Sequence, residues 1–235
     1  MSQAEGKAPE PEIVRSHLNS YHYFYQDAEM LRALAEQHVG TFEEVRYSRT
    51  ALLLYVFSLE GLINRALETF LPDGVRQYFL EREDRLSIAD KWLLVPLLAG
   101  ALQTGTFERG TYPWNCFADL VALRNDFVHP KHDRFAYYRW YSNGTFDRLS
   151  WQDIPTESGI REKDCVYRQI RVPKDPYSIQ APHVSAVKKV VDDMVKELDR
   201  LLGGQVDDAF LHDETMHPVY PADAKFNFTK LAGGG

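Results

Sequence analysis

Three polar side chains at the end of an apolar helical pattern have the composition of a phosphate-handling site. Arg124, Asn125 and His129 lie within the stretch from Leu123 to Pro130. Asn125 and His129 are four residues apart, so a helix places them on one face, and the long side chain of Arg124 can bend toward the same point. A fixed cation holds an anionic phosphate, and an imidazole exchanges protons near neutral pH. The residues therefore predict chemistry on a phosphate; the alternative is an ordinary helix terminus, which also attracts basic groups.

The elements that must position these residues are helices. Apolar residues recur every three or four positions in six segments that capping or breaking residues delimit. The segments cover about 11–39, 42–70, 74–83, 87–99, 113–129 and 182–202. Thr41 with Glu44 is a capping-box pattern before the second segment, and Pro130 disfavours helical geometry at His129. The sequence therefore predicts an all-α fold, an up-and-down helical bundle with the motif at the C-terminal end of one helix.

Residues 131–180 follow a different pattern, which predicts a small β-hairpin and strand insertion before the last helix. The stretch 134–141 is aromatic and strand-like, residues 142–144 are a hairpin turn signal, and residues 145–151 fit the returning strand. Residues 165–172 fit a third strand.

Length and composition are those of one globular domain. The chain has 235 residues, of which 44% are hydrophobic and 26% are charged. We expect residues 1–10 to be disordered, residues 11–203 to form one helical domain that carries the insertion, and residues 204–235 to form an irregular tail. Cys116 and Cys165 show no metal-ligand spacing, so we expect free thiols.

Charge and hydropathy exclude some classes of function. The formal net charge of −7 argues against a protein that coats nucleic acid through bulk charge, although a local basic cleft can still contact a few phosphates. No apolar run reaches membrane-spanning length, and the N-terminus lacks a signal-peptide core. We therefore expect a cytoplasmic protein with no membrane partner.

Basic and aromatic residues are interleaved directly after the motif. The candidate RNA-binding residues among them are Lys131, His132, Arg134, Tyr138 and Arg139. Single-stranded RNA stacks its bases on aromatic rings and places its phosphates against cations. An amphipathic strand whose rings pack on the helices fits the pattern equally well.

The helical order and the motif together resemble the HEPN (higher eukaryotes and prokaryotes nucleotide-binding) superfamily. Residues Arg124 to His129 match the Arg-x4-6-His signature of that family, with Asn125 in its commonly polar position after the arginine. Two upstream segments, 58–64 and 87–92, are also similar to those of uncharacterised bacterial members. The resemblance covers about residues 12–130 and 182–203 and leaves out the insertion and the tail.

The resemblance implies a reaction, an assembly and a setting. Many members of this family are metal-independent endoribonucleases, often toxins or antiphage effectors, and they dimerise so that two motif helices form one cleft. In that cleft the 2′-hydroxyl of RNA attacks the adjacent phosphate and leaves a 2′,3′-cyclic phosphate and a 5′-hydroxyl. RNA, a second copy of the chain and an antitoxin or defence-system protein are therefore the implied partners. Other members have lost activity and bind only nucleotides or proteins, which is the alternative function.

The chemistry of the motif residues agrees with that reaction. His129 can remove and deliver the protons, and Arg124 can hold the negative charge that grows on the non-bridging oxygens. Asn125 can orient the phosphate or the imidazole. We expect no cofactor and no metal, because the nucleophile already belongs to the substrate.

Three further polar residues are possible supports for the motif. Glu60 and Asn64 are four residues apart and share a face of the second helix, so they could reach the cleft and orient Arg124. The alternative for both is a structural polar pair. Asp126 could pair near Arg124 or with Lys131, or it could be solvated.

Overall fold

A computed structural model describes residues 19–81, 86–99, 105–129, 136–206 and 208–211. These residues are mostly helical with two small antiparallel strand pairs, which confirms the predicted all-α class with a small β insertion. The helices are α1 (Ser20–Gln37), α2 (Phe42–Phe70), α3 (Asp73–Leu80), α4 (Ile88–Leu98), α5 (Trp114–Val128), α6 (Glu162–Cys165), α7 (Ala181–Leu201) and α8 (Asp208–Leu211). The strands are β1 (Tyr138–Trp140), β2 (Phe146–Arg148), β3 (Val166–Tyr167) and β4 (Val172–Pro173).

α1 and α2 form a long helical hairpin. The side chain of Thr41 accepts a hydrogen bond from the Glu44 amide at 3.3 Å and starts α2 where the sequence predicted. Gly61 lies where α1 passes close to α2, because a Cβ added there would stand 2.8 Å from the Cβ of Ser20. No side chain fits in that space, so Gly61 sets where α1 passes α2.

α1 begins at Ser20, and the predicted start near Pro11 is wrong for this helix. Asn19 has an extended backbone, and its side chain accepts a hydrogen bond from the amide of His22. An asparagine in that geometry is an N-cap, which ends the helix on its N-terminal side. The predicted helical residues 11–18 lie outside the described part of the chain.

The core lies between α2, α5 and α7. α7 is amphipathic, and its apolar positions recur at three- and four-residue spacing. Its largest fully buried side chains are Met194 and Leu198. Phe117, Leu120 and Leu123 of α5 are completely buried in the same cluster. Because Leu123 is buried, the motif that follows it starts at the edge of the core.

Glu44 joins α2 to α7 in a way that the local pattern did not predict. Its side chain accepts hydrogen bonds from the amide of Gly40 at 2.7 Å and from the amide of Ala181 at 3.0 Å, and the residue is 2% exposed. Ala181 is the first residue of α7, where unpaired amides favour a carboxylate. The predicted capping box is thus half formed: Thr41 caps α2, but the Glu44 carboxylate serves Gly40 and α7.

The insertion contains two short hairpins. β1 and β2 pair antiparallel around the predicted turn, which confirms that hairpin, although its strands are shorter than expected. The predicted third strand over 165–172 is wrong, because β3 and β4 pair with each other inside and just beyond that range. Arg171 has a left-handed φ of 58° just before β4, and such a residue reverses the chain within the stretch.

The sequence predicted an irregular tail over residues 204–235, but part of this segment is helical. Asp208–Leu211 forms α8, and Val206 and Phe210 are buried against the core. The ring of Phe210 packs on Phe70 of α2 with centroids 5.1 Å apart. The remainder of the tail, 212–235, lies outside the described residues.

α2 is the one described helix long and apolar enough to cross a membrane by length and composition. The expectation that no apolar run reaches that length was therefore too strict. The most apolar window of α2 is 56% buried inside the fold, as in the core helix of a globular protein.

Candidate functional site

α5 presents the motif at its C-terminal end. The helix ends at Val128, and His129 has non-helical dihedral angles of φ −128° and ψ 70°. Its backbone N–H still donates to the carbonyl of Asn125 at 2.8 Å. Termination of the helix at His129 is confirmed, and both Asn125 and His129 are exposed to solvent.

Two acceptors on two helices hold the guanidinium of Arg124. Its Nη2 donates to Oε2 of Glu60 on α2 at 3.2 Å, and its Nη1 donates to Oδ1 of Asn125 at 3.1 Å. The ring of Phe57, one turn before Glu60, has its centroid 5.9 Å from the guanidinium carbon. The Arg124 side chain is 24% exposed, so the group stands at the protein surface in a fixed position.

The guanidinium of Arg124 keeps donors for a ligand. Arginine has five N–H donors, and Glu60 and Asn125 occupy one on each terminal nitrogen. Nε is buried and has no hydrogen-bond partner among the described residues. One N–H on each terminal nitrogen is therefore left without a partner among the described residues, and a pair of such groups is the fork that binds phosphate oxygens.

Glu60 fixes the position of the Arg124 side chain but contributes little to the stability of the fold. The Glu60 side chain is 34% exposed, and the sequence already placed it on the face of α2 from which it could reach Arg124. Partly exposed ion pairs of this kind contribute roughly 0–1 kcal/mol to folding. The ion pair with Glu60 therefore orients Arg124 before any ligand binds.

The other two proposed supports contact different partners. Oδ1 of Asn64 accepts a hydrogen bond from Nζ of Lys91 at 2.8 Å, which links α2 to α4. Oδ2 of Asp126 accepts one from the hydroxyl of Tyr167 at 2.7 Å, which links α5 to β3. The structure therefore pairs neither residue with Arg124, and both have structural hydrogen bonds instead.

Two of the five RNA-binding candidates lie in the described part of the chain. Tyr138 and Arg139 are exposed on β1, and Arg139 makes a long hydrogen bond, 3.4 Å, to the carbonyl of Asp153. Neighbouring rings of the hairpin are exposed too, Trp140 at 69% and Phe146 at 54%. Tyr138 and Trp140 are therefore largely exposed and not packed on the helices, whereas Tyr137 is partly buried. Lys131, His132 and Arg134 lie outside the described residues.

A row of aromatic rings beside Arg124 was not singled out from the sequence. Phe24 of α1 packs on Phe57 with centroids 5.7 Å apart, and Tyr23 packs on Phe24 at 4.4 Å. Tyr23 is 41% exposed. The spacing of Phe57 and Glu60, one helical turn apart, was the signal that could have found the part of the row on α2.

A cavity of about 390 Å³ lies in the insertion, away from the motif. Its lining includes Tyr137, Arg148, Trp151, Cys165, Arg171 and His183. Burial raises the pKa of the Cys165 thiol, so this cysteine lacks the activation of a nucleophile. Both cysteines are free, as predicted. Within the described ranges, no group of three or more His, Cys, Asp or Glu residues could hold a metal ion.

No protein-family model matches this chain, and no curated protein or solved structure shows significant similarity to it.

Proposed function

We propose that this protein is a metal-independent endoribonuclease that cleaves RNA by attack of a 2′-hydroxyl on the adjacent phosphate. The observation that carries the proposal is the arrangement of Arg124. Glu60 and Asn125 hold its guanidinium at 3.2 and 3.1 Å, and the free N–H groups are available next to the exposed end of α5. His129 is exposed at that end and supplies an imidazole, a side chain that can act as a general acid or base.

Each motif residue has one task in this reaction. Arg124 donates two hydrogen bonds to the non-bridging oxygens as their charge grows in the transition state. His129 takes the proton of the 2′-hydroxyl or returns one to the departing 5′-oxygen. Asn125 holds the guanidinium with its carbonyl oxygen, which leaves its amide hydrogens for the phosphate. The products are a 2′,3′-cyclic phosphate and a 5′-hydroxyl.

The reaction needs two proton-transfer groups, and a homodimer through α5 supplies the second one. A twofold axis beside the motif would bring two copies of His129 to one cleft. Apolar surface around the motif supports this part of the proposal: Val128 is 41% exposed, and Phe24 is only partly buried. By the family resemblance, a toxin or antiphage role with an antitoxin or defence partner is the proposed setting.

A non-catalytic binding module is the second candidate function. The exposed rings of the β1–β2 hairpin favour it, because they offer a recognition surface that needs no chemistry. In that case the protein would bind a nucleotide or a partner protein, and Arg124 would serve only as an anion contact.

The deciding experiment is incubation of the purified protein with a labelled RNA pool in excess EDTA. We expect cleavage by the wild type and a loss of roughly 100-fold or more in Arg124→Ala and His129→Ala. Arg109→Gln is the matched control, because Arg109 is exposed in the loop before α5, at the opposite end of that helix. Cleavage that survives either motif variant, or that requires a divalent ion, would overturn the proposed mechanism.

A further inference from the structure

The β1–β2 hairpin carries three exposed aromatic rings and an arginine on one face. Successive residues of a strand point to opposite faces, so Tyr138 and Trp140 share a face with Phe146 and Arg148 of the paired strand. Trp140 and Phe146 are stacked with centroids 5.2 Å apart and planes 9° apart, and Tyr138 meets Phe146 edge-on at 5.4 Å. The guanidinium of Arg148 lies 5.9 Å from the Tyr138 ring centroid.

These rings stabilise the hairpin, but that role does not account for their exposure. Cross-strand aromatic pairs do hold two-stranded hairpins together. Trp140 nevertheless remains 69% exposed and Phe146 54%, so the Trp140 ring keeps a face in water beyond its contact with Phe146. A large exposed aromatic patch of this kind marks a binding surface.

The hairpin is fixed to the N-terminal half of α2. Arg148 forms an ion pair with Asp175, and its guanidinium lies 5.6 Å from the ring centroid of Tyr177. The same ring contacts Arg49 of α2, with the guanidinium carbon 5.1 Å from the centroid, and stacks on Phe42 at 6.1 Å. Tyr177 therefore places the hairpin next to the first turns of α2.

One face of α2 connects this point to the motif. At 100° per residue, Arg46, Arg49, Leu53, Phe57 and Glu60 fall within an arc of about 80°. The last two of these residues contact Arg124. Since each residue of a helix rises 1.5 Å, the path from Arg49 to Glu60 is about 16 Å long. All five residues are exposed or partly exposed.

At the hairpin end of this face, two arginines of α2 can donate hydrogen bonds to phosphates. Arg46 is exposed with its guanidinium carbon 4.8 Å from the Phe42 ring centroid, and Arg49 is partly exposed over Tyr177. Neither arginine has a carboxylate partner in the part of the chain that the structure describes. An arginine stacked on a ring keeps its edge N–H groups for hydrogen bonds.

We propose that single-stranded RNA binds along a strip that runs from Trp140 past Arg46 and Arg49 to Arg124. This inference rests on the proposed ribonuclease function and names its substrate as an unpaired strand. Bases stack on the hairpin rings, phosphates contact the two arginines of α2, and the strand continues to the motif. Rings for bases combined with cations for phosphates suit single strands, whereas a duplex hides the faces of its bases.

The test is binding of a fluorescent, unstructured oligoribonucleotide to the full chain carrying His129→Ala, which prevents cleavage. Trp140→Ala should raise the Kd roughly 5- to 150-fold, the range found for loss of one stacked base, and Trp140→Phe should restore most of the affinity. The double variant Arg46→Gln/Arg49→Gln should reduce the slope of log K against log salt by about 1.4. Arg109→Gln is again the control for loss of a positive charge away from the strip, although it removes one charge and not two, and it should change neither quantity.

Tryptophan fluorescence gives a second readout at the same site. Trp140 is the most exposed tryptophan among the described residues, while Trp92 and Trp114 are buried. Saturating RNA should quench emission in the parent protein and quench it much less in Trp140→Phe. A duplex of the same sequence should bind more weakly than the single strand.

The outcomes separate this proposal from the one on which it rests. RNA cleavage by the wild type with unchanged binding in the Trp140 and Arg46/Arg49 variants overturns the strip and leaves the nuclease proposal standing. Binding that depends on the strip without any cleavage by the wild type supports the strip and overturns the nuclease. Binding of phospholipid vesicles or of a protein through Trp140, with no RNA bound, overturns the strip as an RNA site.

Discussion

Replacing Arg124 by lysine separates the charge of this residue from its hydrogen-bonding fork. In the wild type, one N–H on each terminal nitrogen is held by Glu60 or Asn125, and the other remains for the phosphate. A lysine has a single nitrogen, which cannot reach both acceptors and both phosphate oxygens at once. The variant therefore keeps the positive charge but loses the paired donors.

The expected magnitude follows from which interactions remain. Loss of one donor to a developing oxyanion costs roughly 100- to 1,000-fold in kcat, or about 2.7–4 kcal/mol. The affinity for RNA should change little because the charge remains. The free energy of unfolding should fall by less than about 1 kcal/mol, since the Arg124–Glu60 pair is partly exposed at 24% and 34%.

Single-turnover cleavage of a fluorescent RNA in EDTA, with the protein in saturating excess, measures the rate constant of the cleavage step, and urea unfolding measures stability in the same preparation. Arg109→Lys is the matched control and should behave as the wild type. If Arg124→Lys keeps its cleavage rate within about fivefold of the wild type, the fork is not used and the argument from the donors is refuted.

Three further predictions concern the scaffold. Glu44→Ala should lower the free energy of unfolding in urea by roughly 2–5 kcal/mol, since two backbone amides, one at Ala181, lose their buried carboxylate; a smaller loss contradicts the role of Glu44. Burial lowers the pKa of His183 from its ordinary 6.5, so its contribution to stability is present above pH 6.5 and lost as the pH falls through the lowered pKa; denaturant curves for wild type and His183→Asn should converge at low pH. Tyr167→Phe removes the hydrogen bond to Asp126 and should cost about 1 kcal/mol with cleavage retained, as urea curves and the cleavage assay will measure.

The sequence predicted those helices whose ends have local causes. α2 starts after Thr41, whose side chain caps it, and it ends before the breaker at Leu71, as expected. α1 was extended too far because Pro11 is compatible with a first helical turn, whereas the actual cap at Asn19 resembles any polar residue within a helical pattern. α8 has only four residues and no periodicity, and its burial of Phe210 is a tertiary effect.

For the candidate site, the sequence could predict which residues share a face of a helix, but not which partners those residues contact. Spacing placed Glu60 on a face of α2 from which it could reach Arg124, and the two residues do form a hydrogen bond. The same spacing suggested Asn64, but α4 packs against that part of α2 and Lys91 takes its oxygen. The hydrogen bond between Tyr167 and Asp126 depends on how the insertion folds back onto α5. The periodicity of the sequence carries no information about that long-range contact.

Product analysis of cleaved RNA is the decisive measurement for the proposed reaction. A defined oligoribonucleotide and its 2′-O-methyl counterpart are incubated with the protein in EDTA, and the product ends are identified by mass spectrometry. We expect 2′,3′-cyclic phosphate and 5′-hydroxyl ends from the first oligonucleotide, no cleavage of the second, and neither product with His129→Ala. Products with 3′-hydroxyl and 5′-phosphate ends, or cleavage of the methylated strand, would contradict attack by the 2′-hydroxyl.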